Sequence, residues 1–147
     1  GTLYDAASLA LESIAAAARS DVTTAGLASA WRVVAELGFA PATGQCASCH
    51  ADLDLTADVT FHHRAGGALC ETCARQARGG RRLPAEARAA LHAWLAGDDV
   101  HADMPAARAH MRLLREFLEE HLGDGRPLRA LVAWEAHLFQ RAGAGAA

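Results

Sequence analysis

Apolar residues recur at helical spacing from Leu3 to Ala18, at Leu3, Ala7, Leu11, Ile14 and Ala18, in a stretch rich in alanine. This pattern predicts a first helix. Ser20-Asp21-Val22-Thr23-Thr24 interrupts it, with Asp21 and Thr23 or Thr24 placed to cap the next helix. A second helix is predicted from about Leu27 to Leu37, its inner face formed by Trp31, Val34 and Leu37. Gly38 supplies a left-handed end, and Pro41 prevents continuation. From Pro41 to Cys73 the helical period disappears. Leu53, Leu55, Val59 and Phe61 fall on alternate positions, which predicts two short strands around Thr56-Ala57-Asp58 and a tight turn at Gly66-Gly67. Ala74 to Arg78 reads as a short helix stopped by Gly79-Gly80.

Helical periodicity then returns. Pro84 stands at a helix start with Glu86 near its positive end, and Ala87, Leu91, Trp94 and Leu95 share a face before Gly97. A longer helix begins at Pro105, with Ala107, Met111, Leu114, Leu118 and Leu122 in one stripe, and stops at Gly123. A last one runs from Pro127 to about Arg141 and carries Leu128, Leu131, Val132, Leu138 and Phe139. The alternation of Ala and Gly over 142–147 has nothing to bury and reads as a disordered tail. The fold class expected is therefore an all-α helical bundle with an inserted small finger containing short β-hairpins. Residues 1–40 and 79–141 form the helical domain, and 41–78 the insertion.

Composition changes this picture in two ways. The chain of 147 residues is 52% hydrophobic, but 37 of those residues are alanine, so large core-forming side chains are scarce and helices must pack closely. No stretch is apolar enough to span a membrane. Lysine is absent, all fourteen basic residues are arginine, and the formal net charge is −3. The chain opens on Gly1 without an initiator methionine, as a fragment or a processed chain would.

All four cysteines lie in two CxxC pairs, Cys46-Ala47-Ser48-Cys49 and Cys70-Glu71-Thr72-Cys73. Each pair can form a tight knuckle that brings two sulfurs onto one ion, and pairs at this separation read as one structural Zn2+ held by four thiolates. Such a site is closed and leaves no position for water or substrate. Two disulfides would suit a shorter secreted chain, and a thioredoxin-type redox pair needs a βαβ context that is absent here. A knuckle on a hairpin, a second hairpin and then a knuckle opening a helix resembles a treble-clef, ArfGAP-like zinc finger. His50 follows Cys49, where a glycine would more easily take the left-handed conformation that closes a knuckle.

Arg64, Arg75, Arg78, Arg81, Arg82 and Arg88 share 25 residues with only Glu71 and Glu86, an excess of four positive charges. A zinc tetrathiolate carries about −2 and takes up part of that excess. The rest reads either as a phosphate-tracking patch or as a solvated surface, and no aromatic residue lies between Arg64 and Arg88 to stack on bases. Arg108, Arg112 and Arg115 recur at helical spacing beside Met111, Leu114 and Leu118, either as a core stripe with a charged flank or as a groove for an acidic peptide. His50, His62 and His63 could replace a cysteine ligand or form a second metal site. His92, His101, His110, His121 and His137 are scattered on helices and are expected to face solvent. No nucleophile motif, phosphate loop or paired-carboxylate pattern appears, so an enzyme is not expected and no small-molecule substrate is implied.

Several segments occur in a telling order. Trp31 to Pro41 runs a helix into a Leu-Gly-aromatic-x-Pro exit, the first CxxC follows, and Gly66-Gly67-Ala68-Leu69-Cys70 leads into the second. The helix over Leu83–Leu95 comes next, then His121-Leu122-Gly123 and Arg126-Pro127-Leu128-Arg129-Ala130-Leu131. Over roughly residues 1–140 this order resembles the C-terminal part of the bacterial RecO recombination mediators. The resemblance implies a role rather than a reaction: binding and annealing single-stranded DNA, engaging the acidic C-terminal tail of the single-stranded-DNA-binding protein, acting with RecR, and supporting RecA loading in the cytoplasm at the nucleoid. The family's N-terminal OB-fold, which carries much of the DNA contact, is not in this chain, so weak DNA binding, or none, is expected of it. Two other readings compete: a zinc-stapled domain that binds only protein, and a metalloenzyme built on the finger histidines.

Overall fold

A computed structural model describes residues 2–17 and 21–144, with the side chains of 139 and 141–144 left aside. The predicted positions Ala18, Ser20 and 145–147, and the side chain of Phe139, lie outside the described set. Cα packing divides the chain into two compact units, residues 1–101 and 102–147. The first contains α1 (Thr2–Ala16), α2 (Val22–Val34), β1 (Val59–His62), β2 (Gly67–Leu69), α3 (Glu71–Gln76), β3 (Arg81–Leu83) and α4 (Ala85–Ala96). The second is a pair of helices, α5 (Met104–His121) and α6 (Arg129–Ala144). The protein is thus a helical fold with an inserted four-cysteine finger, as the pattern predicts.

In the first unit α2 packs against both α1 and α4. Leu27, Ala28, Trp31 and Val34 of α2 and Leu91 and Trp94 of α4 supply its helical core, the two tryptophans fully buried. Trp94 satisfies its indole N–H on the Val100 carbonyl at 2.8 Å. Beyond Val34 the helix widens into a π turn, Ala35–Phe39, and ends where Gly38 takes φ 93°, the left-handed exit expected of it. Asp21 does stand at the N-cap of α2, but its side chain makes no cap hydrogen bond. Its Oδ1 lies 2.9 Å from His101 Nδ1 instead.

The apolar stripe of α1 is the clearest departure from the periodicity. α1 buries none of its residues, and Leu3 and Leu11 are 45% and 70% exposed. Hydrophobic spacing reports that a helix is amphipathic; it cannot say whether anything covers the apolar face.

The finger also differs in its strands. Only Val59–His62 of the two predicted segments is a strand; Leu53 and Leu55 lie in a loop where the Asp54 carboxylate accepts from the Thr56 N–H and hydroxyl at 2.9 and 2.6 Å. The sheet order is β2-β1-β3, antiparallel throughout, with Phe61 opposite Ala68 on one side and Arg81 on the other. The sequence pattern predicts no strand at β3, and β3 carries the finger on to Leu83, past the expected limit at residue 78. Gly79 and Gly80, with φ 88° and 100°, reverse the chain so that Arg81–Leu83 returns along β1. Gly67 lies against the first knuckle's approach, where a Cβ would collide with the Ala42 backbone.

Three interactions fix the finger to α4. Arg88, fully buried, donates through Nη2 to the Asp54 carbonyl. His92 Nδ1 lies 2.7 Å from the buried Thr43 hydroxyl. Asp58 accepts from the first N–H of α4, that of Ala85, at 2.9 Å and also pairs with Arg82. Those donors hold the Asp58 carboxyl below the usual range, the Ala85 N–H foremost.

In the second unit α5 starts at Asp103, whose carboxylate accepts from Ala106 N–H at 2.9 Å. The predicted stripe Ala107, Met111, Leu114 and Leu118 is buried, while Leu122 is 48% exposed. Arg115 joins α5 to Glu135 of α6 at 2.5 Å and to Glu119 at 3.0 Å. The closing run expected as a tail continues α6 to Ala144. Contrary to the expectation of a solvent-facing residue, His110 is buried at 2% exposure, and burial lowers its pKa to about 4.

His110 makes stability pH-dependent with a definite sign. The unfolded chain takes up the proton near pH 6.5 and the folded one only near 4, so acidification through that window favours unfolding. Urea melts of wild type and His110→Leu at pH 7 and pH 4 should differ in their pH sensitivity by about 3 kcal/mol. Equal sensitivity in both proteins would refute this assignment.

Candidate metal centre and basic surface

The first cysteine pair sits in a knuckle closed by its own backbone. Cys46 N–H donates to the Ala51 carbonyl at 2.8 Å, His50 N–H donates to the Cys46 carbonyl at 2.9 Å, and Gln45 bridges to Asp52. His50 takes φ 64°, so the left-handed position is occupied by a non-glycine residue. Ala47 N–H donates to the Ala68 carbonyl at 2.8 Å and ties this knuckle to β2. The second pair opens α3: Cys70 is the N-cap residue, and its sulfur accepts from Cys73 N–H at 3.4 Å.

Through these two anchors all four sulfurs lie within 4.8 Å of one another, in a group able to hold one metal ion. Cys49 and Cys70, from different knuckles, stand 3.8 Å apart. Zinc–sulfur bonds of about 2.3 Å arranged tetrahedrally set a sulfur–sulfur edge of about 3.8 Å, so the donor set and spacing fit Zn2+. Cys46 is fully buried and Cys49 exposed. Burial pushes the Cys46 thiol up, yet the N–H donors of Cys49, Cys70 and Ser48 outweigh it and bring it down to about 6. Hydrogen bonding to the Cys70 sulfur, followed by burial, pushes Cys73 up to about 12. Four sulfurs this close cannot all be thiolates without a cation among them.

The histidines stand apart from the sulfurs. His62 accepts from Ala65 N–H at Nδ1, 3.1 Å away, which leaves Nε2–H to donate to the Arg78 carbonyl at 3.1 Å. Both ring nitrogens are therefore used in holding the turn after β1. His63 packs edge-on against Phe61, and His50 shapes the knuckle. Among the described residues the metal-ligating group consists of cysteines alone.

The finger arginines separate into two sets. Arg64, Arg75, Arg78, Arg81 and Arg82 are exposed, whereas Arg88 is fully inside and serves the fold. Arg75 pairs with Glu71 at 3.2 Å and Arg82 with Asp58, both on the surface, where such pairs are worth little and leave the charge near solvent. On α5, Arg112 lies 3.6 Å from Glu135 and Arg115 is engaged by Glu135 and Glu119; Arg108 is half-buried.

Compared with known protein families, the chain matches the one described as Recombination protein O C terminal over residues 1–132. The chain belongs to that family. Membership in the RecO C-terminal family places it in recombination and DNA repair. No curated protein and no solved structure matches it. Among the described residues no helix is long and apolar enough to cross a membrane.

One feature of this RecO-family chain escapes sequence reading. A cavity of about 600 Å³ opens between α1, α2 and the end of α4, lined by Leu9, Ala10 and Leu95, with Asp5, Arg32 and Glu36 among its polar residues. Arg32 is held there by Nε on the Trp94 carbonyl at 2.7 Å and Nη2 on Asp99 at 2.9 Å. The Ser29 hydroxyl, also in its wall, is buried and has no hydrogen-bond partner among the described residues. Residues from three helices meet here, so no local motif marks it.

Loss of the metal should reach the whole finger. Cys46→Ser, or treatment with a strong chelator, is expected to drop bound metal from one ion per chain to near none. Amide exchange over 59–76 should then rise while α2 keeps its protection. Unchanged exchange in the metal-free chain would show that the sulfurs do not hold the finger together.

Proposed function

We propose that this chain is the helical and zinc-finger part of a recombination mediator that binds single-stranded DNA and protein partners, holding one structural Zn2+ through Cys46, Cys49, Cys70 and Cys73. The observation carrying this reading is the solvent access of Arg64, Arg75, Arg78, Arg81 and Arg82 on the finger of a RecO-family chain. Guanidinium groups recognise phosphate oxygens, and without interleaved aromatics the binding is backbone tracking rather than base stacking. The closed tetrathiolate supports architecture and offers no site for catalysis. In this role the chain would support strand annealing and RecA loading at the bacterial nucleoid, together with RecR.

For the protein partner, an acidic tail ending in an aromatic residue and a carboxylate needs an apolar groove edged by arginine. Arg108, Arg112 and Arg115 are one candidate edge, but Arg112 and Arg115 already neutralise Glu135. The cavity beside Arg32 meets the requirement with its leucines, and the Nη1 of Arg32 keeps its donors. Asp5 and Glu36 at the same cavity restrict the fit to the terminal aromatic and its carboxylate, the tail's acidic residues lying outside. A chain that binds only protein through this cavity is the second reading.

Two measurements separate them. Fluorescence anisotropy with labelled oligo(dT) should show affinity falling steeply with salt. Arg78→Ala with Arg81→Ala should lower the slope of log K against log salt by roughly 1.4, about 0.7 for each phosphate no longer neutralised. No detectable binding of this chain at low salt would leave the protein-only reading.

The tail peptide of the single-stranded-DNA-binding protein should bind, and Arg32→Ala should weaken it about tenfold, or about 1.4 kcal/mol. A matching loss with Arg112→Ala instead would move the site to α5.

A further inference from the structure

The four sulfurs are not equivalent toward a reagent from solvent. Cys46 is fully buried, whereas Cys49 is exposed, and Cys70 of the other knuckle stands 3.8 Å from it. Cys70 and Cys73 are both half-buried, and the backbone on the two sides depends on Cys49 and Cys70. The knuckle carrying Cys49 is closed through His50 at φ 64°, a conformation that is unfavourable for a non-glycine residue unless its surroundings hold it. The Cys70 sulfur is the N-cap acceptor of α3, a helix of six residues that has little stability of its own. Arg75 lies on that helix and Arg78 just after it.

We propose, resting on the zinc reading above, that Cys49 is an oxidation site at which a hydroperoxide links it to Cys70 and expels the metal. The Cys49 thiolate attacks one peroxide oxygen and the O–O bond breaks, giving a sulfenic acid and hydroxide. The Cys70 thiolate then attacks the Cys49 sulfur, the S–S bond forms and the S–O bond breaks, releasing a second hydroxide. Two thiolates lose two electrons, peroxide gains them, and two protons from solvent complete two waters. Cys46 and Cys73 remain as two ligands, half of a structural zinc site, and the ion leaves. The cap of α3 disappears with the Cys70 thiolate, so Arg75 and Arg78 lose the helix that positions them. The finger thereby couples peroxide exposure to the charged surface.

The test uses the zinc-loaded wild-type chain titrated with hydrogen peroxide. Zinc release is read with a chromogenic chelator, remaining thiols by alkylation, and the first disulfide by non-reducing peptide mapping. One ion should leave for each two thiols oxidised, the first linkage should be Cys49–Cys70, and a dithiol reductant with zinc should restore the starting state. A first linkage within either CxxC pair, or survival of all four thiols at peroxide concentrations that oxidise a free-cysteine peptide, would overturn the proposal. A chain carrying no zinc before titration would refute the zinc reading alone, since the peptide map still decides which cysteines join.

Discussion

The convergence of four sulfurs at one point is the constraint on which the finger rests. Its secondary structure is slight: β1 has four residues, β2 and β3 three each, and α3 six. Elements this short do not persist alone, because too few backbone hydrogen bonds and buried side chains offset the entropy of ordering them. Phe61, Ala68, Leu69 and Leu83 form only a small buried cluster. A metal ion held by the two knuckles would supply what burial cannot. It would join the Cys46 loop to the start of α3 and fix the register of the strands between them.

That anchored finger is then fastened to the helical part by polar interactions. Arg88, His92 and the first N–H of α4 each reach a backbone or side-chain group in 43–58. Placing a guanidinium fully inside the fold is unfavourable unless it is hydrogen-bonded; the Asp54 carbonyl takes the Nη2 donor of Arg88, while its Nε and Nη1 have no hydrogen-bond partner among the described residues. The geometry gives α4 two duties, packing Leu91 and Trp94 into the core and holding the finger at its N-terminal end.

Arginine takes every Lys/Arg position in this chain, and the fold divides it by task. Arg88 and Arg115 are structural, one under the finger and one across the α5–α6 pair. Arg32 braces the chain where it leaves α4 and borders a cavity. The surface arginines of the finger keep their solvent access, which is why the phosphate-binding reading attaches to them and not to the arginine count. For Arg115, burial opposes the charge, and hydrogen bonds to Glu135 and Glu119 more than compensate.

The sequence by itself picked out the four cysteines that the fold brings together, because CxxC spacing is a local property, and it located α4, α5 and their ends, because Gly97, Pro105 and the stripe Ala107–Leu118 act within a few residues of themselves. The order of motifs was enough to indicate the family. It did not reveal β3, since Arg81-Arg82-Leu83 has no strand signal of its own and becomes a strand only because Gly79 and Gly80 turn it back along β1. Nor did it separate Arg88 from its neighbours, bury His110, or leave the stripe of α1 uncovered. Periodicity and charge describe what one segment presents, whereas burial and pairing depend on which other segment arrives opposite it, and tertiary structure alone decides that.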